Sequence, residues 1–174
     1  MKKLTILALF LSLFVLGGVF GSTVQAATFK NSVLSFQYPD EWQVPEDKKN
    51  TAFVAVSTRT VNNFNANMNV VISGSDPTFK DITVEDFKQE YAAGLERSGI
   101  KNVKFIKAEK NTWQDAPGMY IEYEANFSNI PIRYVQTFRD DGKNLVILTF
   151  VASQNDWNVF GKQVNDVVKS ANFI

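Results

Sequence analysis

The chain contains neither cysteine nor histidine. Without thiols it has no disulfide, no thiolate nucleophile and no lipid attachment at cysteine, so its stability rests on packing alone. Without imidazole it has no Ser-His-Asp triad, no histidine general base and no zinc or iron site built on histidine or cysteine. Proline is scarce, at five residues, and glycine stands at nine in 174. No stretch has the composition of a linker between two domains. Neither sign of charge dominates, since 18 Lys and Arg stand against 18 Asp and Glu. There is no basic cluster of the kind that neutralises phosphates, so no nucleic-acid partner is expected. For the same reason no electrostatic attraction to an anionic membrane is expected.

Only one long apolar run is present, and it lies at the start. Met1-Lys2-Lys3 is a short positive segment, Leu4 to Leu16 is apolar, and Ser22-Thr23-Val24-Gln25 is polar. Val24 and Ala26 occupy the −3 and −1 places of a cleavage site after Ala26. This is the order of a secretory signal peptide. The competing expectation is an uncleaved anchor, since the apolar run approaches the length that spans a bilayer. The glycine break at Gly17-Gly18, the polar segment and the small-residue site favour cleavage. The expected organisation is therefore a leader at 1–26 and a single domain at 27–174, with no membrane insertion after cleavage. The location is then secreted, periplasmic or otherwise extracytoplasmic.

The mature segment alternates between strand and helix patterns. Leu34, Phe36 and Tyr38 share one strand face. Phe53 to Thr58 is rich in β-branched residues, and Asn67 to Ile72 alternates before becoming apolar. Thr83, three residues before Asp86, resembles a capping box, and Val84, Phe87, Tyr91 and Leu95 form one helical stripe that ends at Ser98-Gly99. A short strand at Val103–Ala108 precedes a meander. In it Ile121, Tyr123, Ala125 and Phe127 face one way, and Glu122, Glu124 and Asn126 the other. Ser128 to Pro131 turns, Ile132 to Arg139 returns, and Asp140-Asp141-Gly142-Lys143 makes a hairpin. Leu145 to Val151 is apolar throughout, as in a strand covered on both faces. Trp157, Phe160, Val164, Val167 and Val168 form the stripe of a final helix. The expected fold class is α+β, with a central antiparallel sheet flanked by helices as an α/β/α sandwich.

Two segments carry a resemblance. Phe36-Gln37-Tyr38-Pro39-Asp40-Glu41-Trp42-Gln43-Val44 resembles an F-x-Y-P-x-x-W-x-V strand and turn. Phe64-Asn65-Ala66-Asn67-Met68-Asn69-Val70-Val71-Ile72 is similar to an F-x-x-N-x-N-V-x-V strand. Together with the Val84–Leu95 helix, the meander and the helix opened by Trp157, they resemble the PsbP-like superfamily. That group includes DcrB-type bacterial envelope proteins and Mog-type Ran-binding proteins. The resemblance implies an antiparallel sheet between helical layers. It implies no shared activity, since members bind unrelated partners. The histidines linked with metal in plant PsbP have no counterpart in this chain.

Several clusters are candidates for chemistry. Asn63, Asn65, Asn67 and Asn69, with Arg59 nearby, place amide groups at alternate positions suited to a glycan or a peptide backbone. An ordinary polar strand face has the same pattern. Trp113, beside Gln114-Asp115, is the best candidate for an exposed aromatic contact; Trp42 and Trp157 fit core positions. Glu122 and Glu124 are a carboxylate pair at next-but-one spacing, as in glycoside hydrolysis, or else a surface pair facing Arg133. Asp140-Asp141-Gly142 lacks the ligand ladder of a calcium loop. No catalytic residue, metal site or cofactor is expected. The leading expectation is a non-catalytic exported protein of the bacterial cell envelope that binds an envelope protein or glycan. The alternative is a carboxylate-dependent hydrolase acting on an envelope polymer. If the leader is cleaved as read, N-terminal sequencing of the exported protein begins at Ala27. Recovery only from membranes, with residues 1–26 intact, contradicts it.

Overall fold

In the computed structural model the described residues are 26–46, 51–61 and 64–174. The expectations for the leader and for Asn63 fall outside them. Strands β1 (Ala26–Lys30) and β2 (Leu34–Pro39) form an antiparallel pair. Strands β3 (Phe53–Val61) and β4 (Phe64–Gly74) start the main sheet. Helix α1 (Val84–Arg97) then carries the chain to the far edge, where β5 (Lys101–Trp113) begins a meander. The meander continues through β6 (Ala116–Phe127), β7 (Ile130–Asp140) and β8 (Asn144–Ser153). Its last strand lands beside β4, giving the order β3-β4-β8-β7-β6-β5, antiparallel throughout. Helix α2 (Trp157–Ser170) leads to β9 (Asn172–Phe173), which joins β2 in a three-stranded sheet.

The two helices lie on opposite faces of the main sheet. Thr83 caps α1 as expected: the Asp86 amide donates to Thr83 Oγ1 at 3.1 Å, and the Thr83 hydroxyl in turn donates to the Asp86 carboxylate at 2.7 Å. The stripe Phe87, Tyr91, Leu95 is buried against Met119, Ile121, Tyr123 and Phe138. Gly99, at φ 82°, ends α1 in the left-handed conformation that glycine adopts without strain. On the other face, Phe160, Val164 and Val167 of α2 pack with Leu34 and Phe36 of β2 and with β8. Trp42 is buried under the turn after β2, with its ring 5.7 Å from Phe150 and 5.9 Å from Phe160. Burial on both faces of β8 follows the continuous apolar reading. Val146, Leu148, Phe150 and Ala152 enter the α2-side core, while Leu145 and Val151 enter the α1-side core.

The α+β class is as expected, but sheet dominates it. Among the described residues each face carries a single helix, and the small β1-β2-β9 sheet shares the α2 layer. Strand β5 is also much longer than its sequence suggested. It is an edge strand carrying Lys101, Lys104, Lys107 and Lys110, charges that discourage pairing with another chain and hide the apolar alternation. A register shift between Phe105 and Lys107 leaves Ile106 43% exposed and breaks the period further.

Phe150 touches Trp42, Trp157 and Phe160 in the core, whereas Glu124 is half-exposed on β6. Phe150→Ala is expected to cost about 3–5 kcal/mol, and Glu124→Ala to stay within about 0.5 kcal/mol of the parent. Denaturant midpoints that place the two variants together contradict the sheet orientation.

Candidate functional site

The asparagine row is not the accessible surface that alternation suggested. Strand β4 is flanked on both sides by strands, and Asn67 and Asn69 are 4% and 5% exposed. Asn65 is half-buried. Its Nδ2 donates to the Ser57 carbonyl at 2.8 Å, and its Oδ1 accepts from Thr60 Oγ1 at 3.1 Å, so it bridges the register shift in β3. Asn67 Nδ2 donates to the Asn65 carbonyl at 3.2 Å. Asn69 lies opposite Thr149, which in turn lies opposite Gln136 and accepts from its Nε2 at 2.7 Å. Asn69 Oδ1 and Gln136 Oε1 are buried without a donor. Arg59 pairs with Asp156 at 3.4 Å, and Asp156 also accepts from Ser153 Oγ at 3.1 Å. Among the described members of this set, Arg59 is exposed and Asn65 partly so, while Asn67 and Asn69 are buried. Sequence reading missed Gln136 and Thr149, whose signal was a polar residue inside an apolar strand at positions matched only by register.

Trp113 also departs from expectation. It ends β5 instead of standing on a loop, and packs edge-on against Phe173 with centroids 4.9 Å apart. The carboxylate pair is divided as well. Glu122 holds Arg133 by contacts of 2.6 and 2.8 Å, and Arg133 lies 4.6 Å over the Trp157 ring. Burial, together with the Glu122 carboxylate, pushes the Tyr120 phenol up to about 12. Glu124 stands opposite Lys104 and Arg133 in the strand register.

A cleft of about 630 Å³ opens at the end of the main sheet where β4 and β7 finish. Three segments wall it: the Ser75–Lys80 loop before α1, the Gln114–Pro117 turn, and Arg139 to Gly142 at the β7–β8 turn. Asp140, 6% exposed, ties two of them together. Its Oδ1 accepts from Ser75 Oγ at 2.6 Å and the Gly142 amide at 2.8 Å, and its Oδ2 accepts from the Asp76 amide at 2.8 Å. Arg139 fastens the third. Its Nε donates to the Trp113 carbonyl at 2.9 Å and its Nη1 meets Asp141 at 3.0 Å. The guanidinium lies 4.1 Å over the Phe173 ring. Asp141 is held below the usual carboxylate range by the Asn144 amide, with further help from the Lys143 amide and Arg139.

The β5–β6 turn is strained. Gln114 and Asp115 have φ of 49° and 62°, a two-residue hairpin geometry usually given to Asn-Gly. Gln114 has a reason to be there. Its Nε2 donates to the Ala171 carbonyl at 3.2 Å and its Oε1 accepts the Phe173 amide at 2.8 Å, which docks β9. The rim is thus rigid, with its buried and paired acids serving as hydrogen-bond acceptors. Among the described residues no group of three or more acids is placed to hold a metal ion. Such a cleft can bind a partner through fixed polar groups.

A six-stranded antiparallel sheet with one helix on each face, and a small sheet beside the second helix, defines the class of PsbP-like domains. The PsbP family profile matches residues 25–173, and the chain belongs to that family. No curated protein matches the chain. The fold is similar to the solution structure of cyanobacterial PsbP (CyanoP) from Synechocystis sp. PCC 6803. That likeness has TM-score 0.68 and 16% identity, covering 92% of this chain and 98% of that one. It is also similar to LpqN, involved in cell envelope biogenesis of Mycobacterium tuberculosis, with TM-score 0.60 and 12% identity over 87% and 92% of the two chains. The Saccharomyces cerevisiae Ran-binding protein Mog1p gives TM-score 0.60 and 8% identity over 86% and 96%.

The turn yields a prediction with two signs. Asp115→Gly relieves left-handed strain without removing a bond and is expected to stabilise by about 0.5–1 kcal/mol. Gln114→Ala leaves the β9 groups undocked and is expected to cost about 1–3 kcal/mol. Thermal melts of both variants read the difference. Equal signs contradict the docking role of Gln114.

Proposed function

We propose that this chain is a non-catalytic, exported accessory protein of the bacterial cell envelope, cut after Ala26 and acting as one domain. It binds an envelope protein or glycan at the cleft on the end of the main sheet. The observation that carries the reading is the use of the cleft's acids. Asp140 and Asp141 accept backbone and side-chain donors that fix the rim, which is preorganisation for binding. Loops held rigidly at one end of a sheet are where binding functions concentrate. PsbP-family membership supports an accessory role, and the likeness to LpqN supports an envelope setting. The hydrolase alternative loses its leading acid, because Glu122 is held by Arg133.

Recovery of partners from envelope extract by the tagged mature protein tests this. Lys80 and Asp115 are exposed on the cleft rim. A Lys80→Glu, Asp115→Asn double variant is expected to lose the partner, while Arg59→Ala, at the opposite end of the sheet, keeps it. Loss with Arg59→Ala alone moves the site to the asparagine end. Turnover of an envelope polysaccharide that vanishes with Glu122→Gln replaces binding by hydrolysis.

A further inference from the structure

The chain is rich in asparagine, yet Asn126 alone is followed two places on by a serine or threonine. The residue between them is Phe127, not proline, so Asn126-Phe127-Ser128 is an acceptor triplet for N-glycosylation. Such a triplet is a weak signal by itself, and its place in the fold strengthens it. Asn126 lies near the end of β6, and Ser128-Asn129 is the tight turn into β7. Both turn residues are exposed at the hairpin tip, where added bulk is best tolerated. This tip is at the end of the main sheet opposite the cleft.

The acceptor side chain is accessible and free. Asn126 is half-buried, and neither carboxamide atom is shut off from solvent. Among the described residues no hydrogen bond ties the side chain of Asn126 or of Ser128. By alternation Asn126 shares the face of Glu122 and Glu124, opposite the buried Ala125. The backbone there is also lightly held. Ser128 and Asn129 have φ of 48° and 66°, left-handed without glycine. On the β5 side Asn126 faces Lys101, the first residue of that edge strand, and the register breaks between Lys101 and Lys104. Opening the tip therefore separates only the outermost pairs, at the low end of local stability. Once the segment is extended, Glu124, Asn126 and Ser128 project to one side and Ala125 and Phe127 to the other. A transferase can then hold an acid, an amide and a hydroxyl together.

We propose that Asn126 is a glycan attachment site, loaded outside the inner membrane from an oligosaccharide carried on a polyprenyl diphosphate. The Asn126 Nδ2 attacks the anomeric carbon of the first sugar. A carbon–nitrogen bond forms as the bond from that carbon to the diphosphate oxygen breaks. The lipid diphosphate leaves with the electron pair, and Nδ2 gives up one proton to a base. No oxidation or reduction takes place. This modification rests on the export reading and uses nothing of the cleft, so each can fail alone. A glycan at Asn126 covers the open face beside Glu124 and leaves the cleft free.

The test is the intact mass of the protein exported by its native host, with fragmentation of the tryptic peptide 111–133. A mass above that of the polypeptide beginning at Ala27 is expected, with the added sugars on Asn126. Asn126→Gln is expected to return the mass to that of the polypeptide. Ser128→Gly is expected to do the same, and glycine suits the φ of 48° at that position. Glu124→Gln is expected to lower the modified fraction. Circular dichroism checks each fold, and Ser128→Gly carries the test if Asn126→Gln does not fold. Sugars that persist in the folded variants, or that map to another residue, overturn the proposal. An exported chain that begins at Ala27 with Asn126 unmodified overturns glycosylation and leaves export standing. An unmodified chain that keeps residues 1–26 overturns both.

Discussion

Strand β8 pairs with β4 from Asn67 opposite Val151 to Gly74 opposite Asn144, and this pairing joins the β3–β4 hairpin to the meander. The two strands are separated in sequence by α1 and three other strands. Their pairing closes a long loop before it is rewarded by burial. The strand compensates by being apolar on both faces, so each residue added to the ladder also fills one of two cores. Helix α1 covers one core and α2 with the small sheet covers the other. With no cysteine available, this double burial has no covalent support.

The same closure builds the cleft. When β8 zips to β4, the β7–β8 turn arrives beside the loop leaving β4, where Asp140 reaches Ser75 and the Asp76 amide. Arg139, the preceding residue, then reaches across to the β5–β6 turn and covers Phe173. Sheet pairing, C-terminal docking and the rim are therefore coupled through two consecutive side chains. The strain in Gln114 and Asp115 sits where those bonds over-determine the backbone.

Much of this was legible in the sequence. Capping at Thr83, the helical stripes, the alternation of β6 and the apolar run of β8 were all visible, because local periodicity reports burial directly. That the Glu122 and Glu124 face meets Arg133 across the hairpin was also readable, although register sets Arg133 opposite Glu124 and its bond goes diagonally to Glu122. What escaped depended on register or on distant partners. Asn67 and Asn69 looked like a surface, because alternation does not say whether a strand is interior. Gln136 and Thr149 join Asn69 only once three strands are in register. Trp113 looked exposed because β9, two residues long, carries no periodic signal. The cleft's key residues, Arg139 and Gln114, act on segments far away in the chain.

Native-state amide hydrogen exchange tests the central place of β8 most directly. The account predicts that the amides of Leu148, Thr149 and Phe150 exchange only through global unfolding, with the largest protection in the protein. Those of the edge strand β5 and of β9 exchange through smaller openings. Exchange of β8 as fast as that of β5 contradicts the claim that the rest of the structure depends on this strand.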